Sequence, residues 1–245
     1  MGESGEAWRL VGTPRAGGIL VVSDHASNRV PADIDLGIAP ALLDCHVAVD
    51  IGVAGIGERL AARPGFAAFL GNVSRLVCDL NRHENEPSVI PIASDGHAVP
   101  GNALDHAGHE ARIARFHRPY HAALADLLDR EPPGLILSIH SFTPHLETRP
   151  DEKRPWHIGV LYNEDRRGPG VALDLLRQEN GLCVGDQEPY SGQLLNETMN
   201  RHAEGRGRLY FGVEVRQDLI ADAAGQEEWA NRLERVARGV LAHFA

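Results

Sequence analysis

Residues 17–25 have the sequence GGILVVSDH, in which a run of aliphatic, mostly β-branched side chains lies between a glycine pair and a polar turn. Such a run is typical of a buried strand. Residues 135–140, LILSIH, form a second strongly apolar run. Each run therefore predicts a strand that ends at a histidine, His25 in the first case and His140 in the second.

Strands and helices are predicted to alternate along the rest of the chain. Further strands are predicted at residues 66–70, 75–80, 157–163, 181–185 and 208–216. Helical spacing of apolar residues predicts helices at residues 40–60, 107–130, 169–178 and 193–203, followed by a C-terminal amphipathic helix. Pro119 is expected to kink or split the second of these helices. The alternation predicts an α/β fold, with one domain over residues 1–245 and a mixed, mostly parallel central sheet flanked by helices.

The composition predicts a soluble, globular protein, and it leaves a small anionic substrate possible. With 34 acidic against 24 basic residues, the 245-residue chain has a formal net charge of −10, which argues against coating nucleic acid or an anionic membrane. Three cysteines are too few for a disulfide framework. No apolar stretch reaches the roughly 18 residues of a membrane span. Residues 1–18 lack the apolar core of a signal peptide, so a cytoplasmic location is expected.

Polar side chains follow several of the predicted strands, where ligands bind in open α/β sheets. His25 and His140 each come at the end of an apolar strand. Two imidazoles from separate strand ends suit a divalent metal, most simply zinc with an oxygen ligand and an open position for water. The alternative is that both are structural histidines.

A carboxylate and three arginines complete the candidate set. Glu214 lies in the apolar stretch GVEV, where a carboxylate is costly unless it is paired or used. It forms an ion pair with Arg216 or another arginine, or it serves as a general base with a pKa raised by burial. Arg75, Arg82 and Arg216 offer planar donors for a substrate carboxylate or a developing oxyanion.

Five segments, in this order along the chain, resemble the N-formylglutamate amidohydrolase family. They are SDHASNRVP (23–31), SRLVCDLNR (74–82), SIHSF (138–142), PYSG (189–192) and VEVRQDLI (213–220). Residues 71–82, GNVSRLVCDLNR, are also similar to a block of aspartoacylase and succinylglutamate desuccinylase. Those enzymes are zinc acylases of the zinc-carboxypeptidase-like superfamily, so the resemblance implies a fold of that type.

The resemblance also implies a role for each matching residue. His25 and His140 become zinc ligands, and Glu214 becomes the general base. Arg75 becomes the group that polarises the scissile carbonyl. The remaining matches become substrate contacts, with Arg82 as the carboxylate clamp: Asn81, Arg82, Tyr190, Ser191, Gly192 and Arg216.

The third metal ligand is where the chain departs from the superfamily pattern. Three residues after the first histidine, where the superfamily has a ligand glutamate, this chain has Asn28, and asparagine is a poor zinc ligand. Asp50, in the segment AVDIG, is the candidate that replaces it. The alternative for Asp50 is a helical residue paired with His46 one turn earlier.

The resemblance implies a zinc-dependent amidohydrolase with one zinc per chain, another divalent metal remaining possible. Its expected substrate is a small anionic N-acyl amino acid, first N-formyl-L-glutamate, cleaved to formate and L-glutamate. No nucleic-acid or membrane partner is expected, and the chain is expected to be a monomer or a small homo-oligomer. Two alternatives remain: a deacylase or carboxypeptidase-like hydrolase of another N-acyl amino acid or small peptide, and a non-catalytic ligand-binding protein that retains the pocket. The non-catalytic alternative remains because Asn28 stands where the superfamily has a ligand glutamate.

Overall fold

The computed structural model describes residues 5–245 and is built around one seven-stranded sheet. The strands in the described residues are β1 (Trp8–Gly12), β2 (Ile19–Ser23), β3 (Phe66–Gly71), β4 (Ala93–Ser94), β5 (His97–Ala98), β6 (Leu135–Phe142), β7 (Ile158–Leu161), β8 (Val184–Asp186) and β9 (Tyr210–Arg216). The order in the main sheet is β1-β3-β2-β6-β9-β7-β8, while β4 and β5 pair separately. Residues 1–4, part of the segment predicted to lack a signal peptide, lie outside the described residues.

The sheet is mixed and mostly parallel, which confirms the predicted fold class. Strands β3, β2, β6 and β9 are adjacent and parallel. Strand β1 pairs antiparallel with β3 at one edge, and β7 pairs antiparallel with β9 near the other. All eight residues of β6 are buried, as expected for a central strand covered on both faces.

Helices cover both faces of the sheet. They are α1 (Val53–Ala61), α2 (His106–Arg112), α3 (Arg118–Arg130), α4 (Arg167–Arg177), α5 (Glu197–His202) and α6 (Ala223–His243). Gly57 of α1 lies over Ala68 and Leu70 of β3, whereas Tyr120 of α3 packs its ring 5.2 Å from that of Phe69. Because successive side chains of a strand point to opposite faces, α1 and α3 lie on opposite sides of the sheet.

The helix predicted at residues 40–60 is interrupted. A 3₁₀ helix at Pro40–Asp44 is followed by turns, and α1 begins only at Val53. The break has a tertiary cause, because the Asp50 amide donates to the His25 carbonyl at 3.0 Å. Asp50 therefore lies in a turn next to His25, and its predicted position inside a helix is wrong.

The strand predicted at residues 75–80 is also wrong. The amides of Val77 and Cys78 both donate to the Ser74 carbonyl, at 2.8 and 3.2 Å, which is a turn pattern. Leu76, Val77 and Cys78 are nevertheless fully buried. The apolar residues of this segment are therefore buried because they lie in a compact turn inside the protein, and not because they belong to a strand of the sheet.

Pro119 splits the second predicted helix as expected, and it does so through a π-helical turn. The turn covers Ile113–His117 between α2 and α3, and its end is closed by the Arg118 amide, which donates to the Ile113 carbonyl five residues back. Proline has no amide hydrogen for a regular helical bond to the residue four positions earlier. The wider turn accommodates that missing bond.

The order of the strands places their polar ends together. Strands β2, β6 and β9 are neighbours that run in the same direction, so the residues at their C-terminal ends gather at one edge of the sheet. His25 follows β2, His140 lies near the end of β6, and Glu214 lies near the end of β9. None of the helices within residues 5–245 is long and apolar enough to span a bilayer.

Candidate active site

His25, Asp50 and His140 converge on a single carboxylate oxygen. Asp50 Oδ2 lies 2.8 Å from His140 Nδ1 and 3.3 Å from His25 Nδ1. One possible ligand atom from each of the three residues lies within 4.8 Å of the other two, and all three residues are buried. Two ring nitrogens and one carboxylate oxygen in this arrangement are a suitable ligand set for a divalent metal ion.

The second nitrogen of each imidazole faces a further carboxylate. His25 Nε2 lies 2.8 Å from Asp79 Oδ1, and His140 Nε2 lies 3.4 Å from Asp24 Oδ2. In protein metal sites, a carboxylate on the far nitrogen fixes the tautomer and the orientation of the ring. Both histidines are therefore oriented with Nδ1 toward Asp50.

Arg75 links the carboxylates of the cluster. Its guanidinium donates to Asp50 Oδ1 at 3.2 Å and to Asp79 Oδ2 at 2.9 Å. Burial acts to lower the pKa of Arg75, but the charges of Asp79 and Asp50 raise it, so Arg75 stays charged. By holding Oδ1, Arg75 leaves Oδ2 of Asp50 facing the two histidines.

Glu214 lies in register with His140 on the adjacent strand and is 7% exposed. Its Oε2 atom has no hydrogen-bond partner among residues 5–245. Burial raises the pKa of Glu214 to about 7, against the opposing positive charge of His140. The ion pair with Arg216 that the sequence left open does not form, since Arg216 pairs with Asp218 at 2.8 Å. The Glu214 carboxylate is therefore free to exchange a proton with a ligand.

These residues line a cavity of about 150 Å³ at the edge of the sheet. Eight of the residues that the sequence predicted for the site lie on its wall: His25, Asp50, Arg75, Asn81, Arg82, His140, Tyr190 and Glu214. Asn81 Oδ1 accepts a hydrogen bond from the Thr198 amide at 3.0 Å. The guanidinium of Arg82 makes a single hydrogen bond within the described chain, to the Asn81 carbonyl at 3.3 Å, and keeps its other donors for a ligand.

Four predicted residues lie outside the cavity wall. Asn28 is exposed and donates to Asp44 Oδ1 at 2.9 Å, away from the metal-type cluster. Ser191 accepts from the Gln193 amide. At Gly192 a Cβ atom would lie 2.5 Å from the Tyr162 carbonyl oxygen, so glycine is required there by close packing. The fourth residue, Arg216, is the last residue of β9 and does not contribute to the cavity wall.

His46, the alternative partner of Asp50, contacts a different carboxylate. Its Nε2 atom lies 2.9 Å from Asp95 Oδ2, while its ring forms part of the cavity wall. Asp50 instead contacts His25, His140 and Arg75. Asp50 thus belongs to the buried cluster and His46 to the rim of the cavity.

The outer carboxylates Asp24 and Asp79, and the groups that hold Asp24, were not predicted from the sequence. Asp24 Oδ1 accepts hydrogen bonds from the hydroxyls of Tyr120 on α3, at 2.7 Å, and Thr198 on α5, at 2.8 Å. Asp24 directly precedes His25, and Asp79 lies in the segment that supplies Asn81. The feature of the sequence that could have identified them is that each lies in a segment that also supplies another residue of the site.

The cluster fits a divalent cation in charge as well as in ligand type. Asp24, Asp50 and Asp79 surround the two histidines, and Arg75 is the one arginine bonded to them among the described residues. Although burial acts to raise the pKa of Asp50, the two histidine charges lower it, so Asp50 remains an anionic ligand. Glu214 Oε2 is buried without a hydrogen-bond partner in the described residues, and the only contact of the buried Asp24 Oδ2 atom with a cationic group there is the one at 3.4 Å with His140 Nε2. With both imidazoles neutral, as metal binding requires, the three aspartates outnumber the single positive charge of Arg75, and a cation at this position would offset that excess of buried negative charge.

Comparisons with known proteins identify the family to which the chain belongs. Residues 17–221 match the family described as N-formylglutamate amidohydrolase. The gene product Atu2144 of Agrobacterium tumefaciens is 28% identical, with a TM-score of 0.91, over 98% of this chain and 96% of that one. An N-formylglutamate amidohydrolase from Ralstonia eutropha JMP134 is 22% identical, with a TM-score of 0.66, over 97% of this chain and 98% of that one, and it shares the fold. Among curated proteins, no sequence matches.

Proposed function

Because the chain belongs to the N-formylglutamate amidohydrolase family, and is therefore a hydrolase of amide bonds, we propose that it cleaves N-formyl-L-glutamate with the help of a bound divalent metal ion. The products are formate and L-glutamate. The observation that carries this proposal is the convergence of His25, Asp50 and His140 in a cavity that also holds Glu214.

The proposed metal ligands are His25, Asp50 and His140, and zinc is the first candidate because it prefers nitrogen and carboxylate ligands in catalytic sites. When bound, zinc supplies Lewis acidity, which polarises a carbonyl and lowers the pKa of water to about 7. Asp79 and Asp24 fix the orientation of the two imidazoles, as outer carboxylates do in such sites.

Glu214 is the proposed proton carrier. A carboxyl group with a pKa of about 7 takes a proton from the attacking water at Oε2 and returns it to the leaving amine nitrogen. Its position in the register beside His140 keeps it near the metal ligands without a bond to them. Both roles require an acid and a base form that are accessible near neutral pH.

Arginines bind the anionic parts of the substrate in this proposal. Arg82 has free guanidinium donors at the cavity wall and is the proposed clamp for a substrate carboxylate. Arg75 keeps a donor for the oxygen of the scissile carbonyl in addition to its two carboxylate bonds. The cavity volume of about 150 Å³ suits a small acyl amino acid better than a long peptide.

The decisive experiment measures formate release from N-formyl-L-glutamate together with metal content by elemental analysis. We expect about one zinc ion per chain, and loss of both metal and formate release after treatment with a chelator. Re-addition of zinc should restore activity. N-acetyl- and N-succinyl-L-glutamate should be assayed in parallel, since their cleavage in place of the formyl compound would assign another acyl group. Failure to take up any metal on reconstitution would contradict the proposal and favour a non-catalytic binding protein.

A further inference from the structure

Arg154 is a buried arginine beside the cavity. The proposed chemistry assigns it no role. It lies in the segment between β6 and β7, and its side chain is 1% exposed. Its Nη1 atom donates to the Thr143 carbonyl at 3.2 Å and to the Tyr190 hydroxyl at 3.0 Å. Its Nε atom donates to Glu152 at 2.8 Å.

The guanidinium also lies against the face of the same tyrosine. The Arg154 Cζ atom is 5.0 Å from the centre of the Tyr190 ring, a distance at which a cation and an aromatic ring attract each other. Arg154 therefore holds Tyr190 by both its ring and its hydroxyl. Thr143 and Tyr190, the two residues that share Arg154 Nη1, both line the cavity.

The contact fixes the direction of the Tyr190 hydroxyl proton. A guanidinium carries only donors, so the Tyr190 oxygen must accept the hydrogen bond from Arg154. The single phenolic proton is then left for another acceptor. Within residues 5–245, the bond to Arg154 is the only hydrogen bond of this hydroxyl.

Electrostatics keep that proton in place at neutral pH. Burial and then the negative charge of Glu214 raise the pKa of Tyr190, while Arg154 and Arg75 act to lower it. Tyr190 therefore remains a neutral donor. Tyr190 shares the cavity wall with Glu214 and Arg75, the groups proposed for catalysis.

We propose that Arg154 is a positioning residue that turns the Tyr190 hydroxyl proton into the cavity, where Tyr190 donates it to an oxygen atom of the bound N-acyl amino acid. The substrate part of this inference rests on the proposed function. The positioning part rests on the contacts of Arg154 alone. A purely structural Arg154 would stabilise the fold without any dependence on the Tyr190 hydroxyl.

The kinetic test is a double-mutant cycle of Arg154→Gln and Tyr190→Phe in the metal-loaded protein. We expect each single variant to lower kcat/KM roughly 10- to 100-fold, the scale of one lost hydrogen bond to substrate. If Arg154 acts through Tyr190, the double variant should be no slower than Tyr190→Phe alone. Losses that multiply in the double variant would overturn the inference.

A second readout does not depend on activity. The chain has four tyrosines, and the ultraviolet titration step that disappears in Tyr190→Phe belongs to Tyr190. Loss of the Arg154 charge in Arg154→Gln should move that step to higher pH. Arg154→Lys, which keeps the charge, should move it less and should recover part of kcat/KM.

Arg232→Gln is the matched control. Arg232 likewise stacks on an aromatic ring, with Cζ 4.5 Å from the centre of the Trp229 ring, and it pairs with Glu179, but it lies on α6 outside the cavity wall. The Arg232→Gln variant should change the melting temperature without moving the titration step of Tyr190.

If the wild type hydrolyses no N-acyl amino acid, the proposed function and the substrate part of the inference fail together, while the titration still decides whether Arg154 positions Tyr190. An unchanged Tyr190 step in Arg154→Gln would overturn the positioning part.

Discussion

His140 and Glu214 occupy directly paired positions on β6 and β9, two neighbouring parallel strands. Paired residues of adjacent strands point to the same face of a sheet, so the two side chains project together into the cavity. The spacing between a proposed metal ligand and the proposed proton carrier is thus set by the hydrogen-bond ladder and not by a loop. A rigid strand pair is well suited to hold catalytic groups in a fixed relation.

Replacement of Glu214 by glutamine should separate chemistry from binding. Glutamine has nearly the same shape but cannot accept and return a proton, so kcat should fall by about 10²- to 10⁴-fold. Zinc content and substrate affinity should stay near the wild-type values, because Glu214 is outside the buried metal-type cluster. Steady-state kinetics with elemental analysis and calorimetric binding test this. Retention of full activity would remove Glu214 from the proton-transfer role.

Replacement of Asp79 by asparagine should weaken metal binding without removing a ligand. Asp79 accepts from His25 Nε2, and loss of such an outer carboxylate typically lowers metal affinity by about 10- to 100-fold. Competition with a chromophoric chelator measures the change. Asn28→Ala serves as the control, since Asn28 is exposed and bonded to Asp44, and it should leave affinity unchanged. A larger loss in Asn28→Ala than in Asp79→Asn would reassign the ligand set.

Replacement of Arg82 by glutamine should raise KM far more than it lowers kcat. A charge-assisted hydrogen bond to a substrate carboxylate is worth about 1.5–3 kcal/mol, so we expect an increase in KM of roughly 10- to 100-fold. The comparison variant is Arg130→Gln, an exposed residue of α3 that pairs with Asp126. Initial rates over a range of N-formyl-L-glutamate concentrations provide the measurement. An unchanged KM in Arg82→Gln would place the carboxylate clamp elsewhere.

Three buried histidines outside the cavity should make the fold sensitive to acid. His121 Nδ1 lies 2.8 Å from His202 Nε2, and the rings of His117 and His121 lie 4.3 Å apart. Burial, followed by the charge of Arg201, lowers the pKa of His202 from 6.5 to about 4. The unfolded chain therefore takes up a proton first as the pH falls. The stability contribution of neutral His202 is complete above pH 6.5 and is lost as the pH falls toward 4.

The predicted size of this effect is about 2 kcal/mol at pH 5 for His202 alone. Urea unfolding at pH 7 and pH 5 measures it as the difference between wild type and His202→Gln, and the variant should lose less stability on acidification. His243→Gln, at the exposed end of α6, should follow the wild type. Equal pH dependence in wild type and His202→Gln would show that His202 does not titrate as its burial implies.

The sequence predicts the frame of the fold and part of the site. Strands β2, β6 and β9 are visible as apolar runs, and His25, His140 and Glu214 are recognisable because each interrupts or ends such a run. The turn that carries Asp50 is not visible, since it is imposed by a hydrogen bond to the His25 carbonyl, which is distant in sequence. Local pattern alone cannot distinguish that turn from the helix that follows it.

The outer contacts of the site depend on tertiary structure to a still greater degree. Asp79 and His25 are 54 positions apart, and Arg154 and Tyr190 are 36 apart. In sequence, an aspartate or an arginine in a polar segment is most often solvated, so neither residue stands out. Their partners become known only when the turns between the strands are placed.

The π-helical turn before Pro119 joins two helices, α2 and α3, each of which is anchored to a different part of the protein. Arg112, at the end of α2, holds Asn102 at 2.6 Å, while Tyr120 on α3 holds Asp24. Each residue of a helix advances the chain by about 100° around the axis. Deletion of one residue from 113–117 would restore a regular helical phase but would rotate α2 by that angle relative to α3. Insertions and deletions should therefore be tolerated much less in this turn than substitutions at its exposed positions.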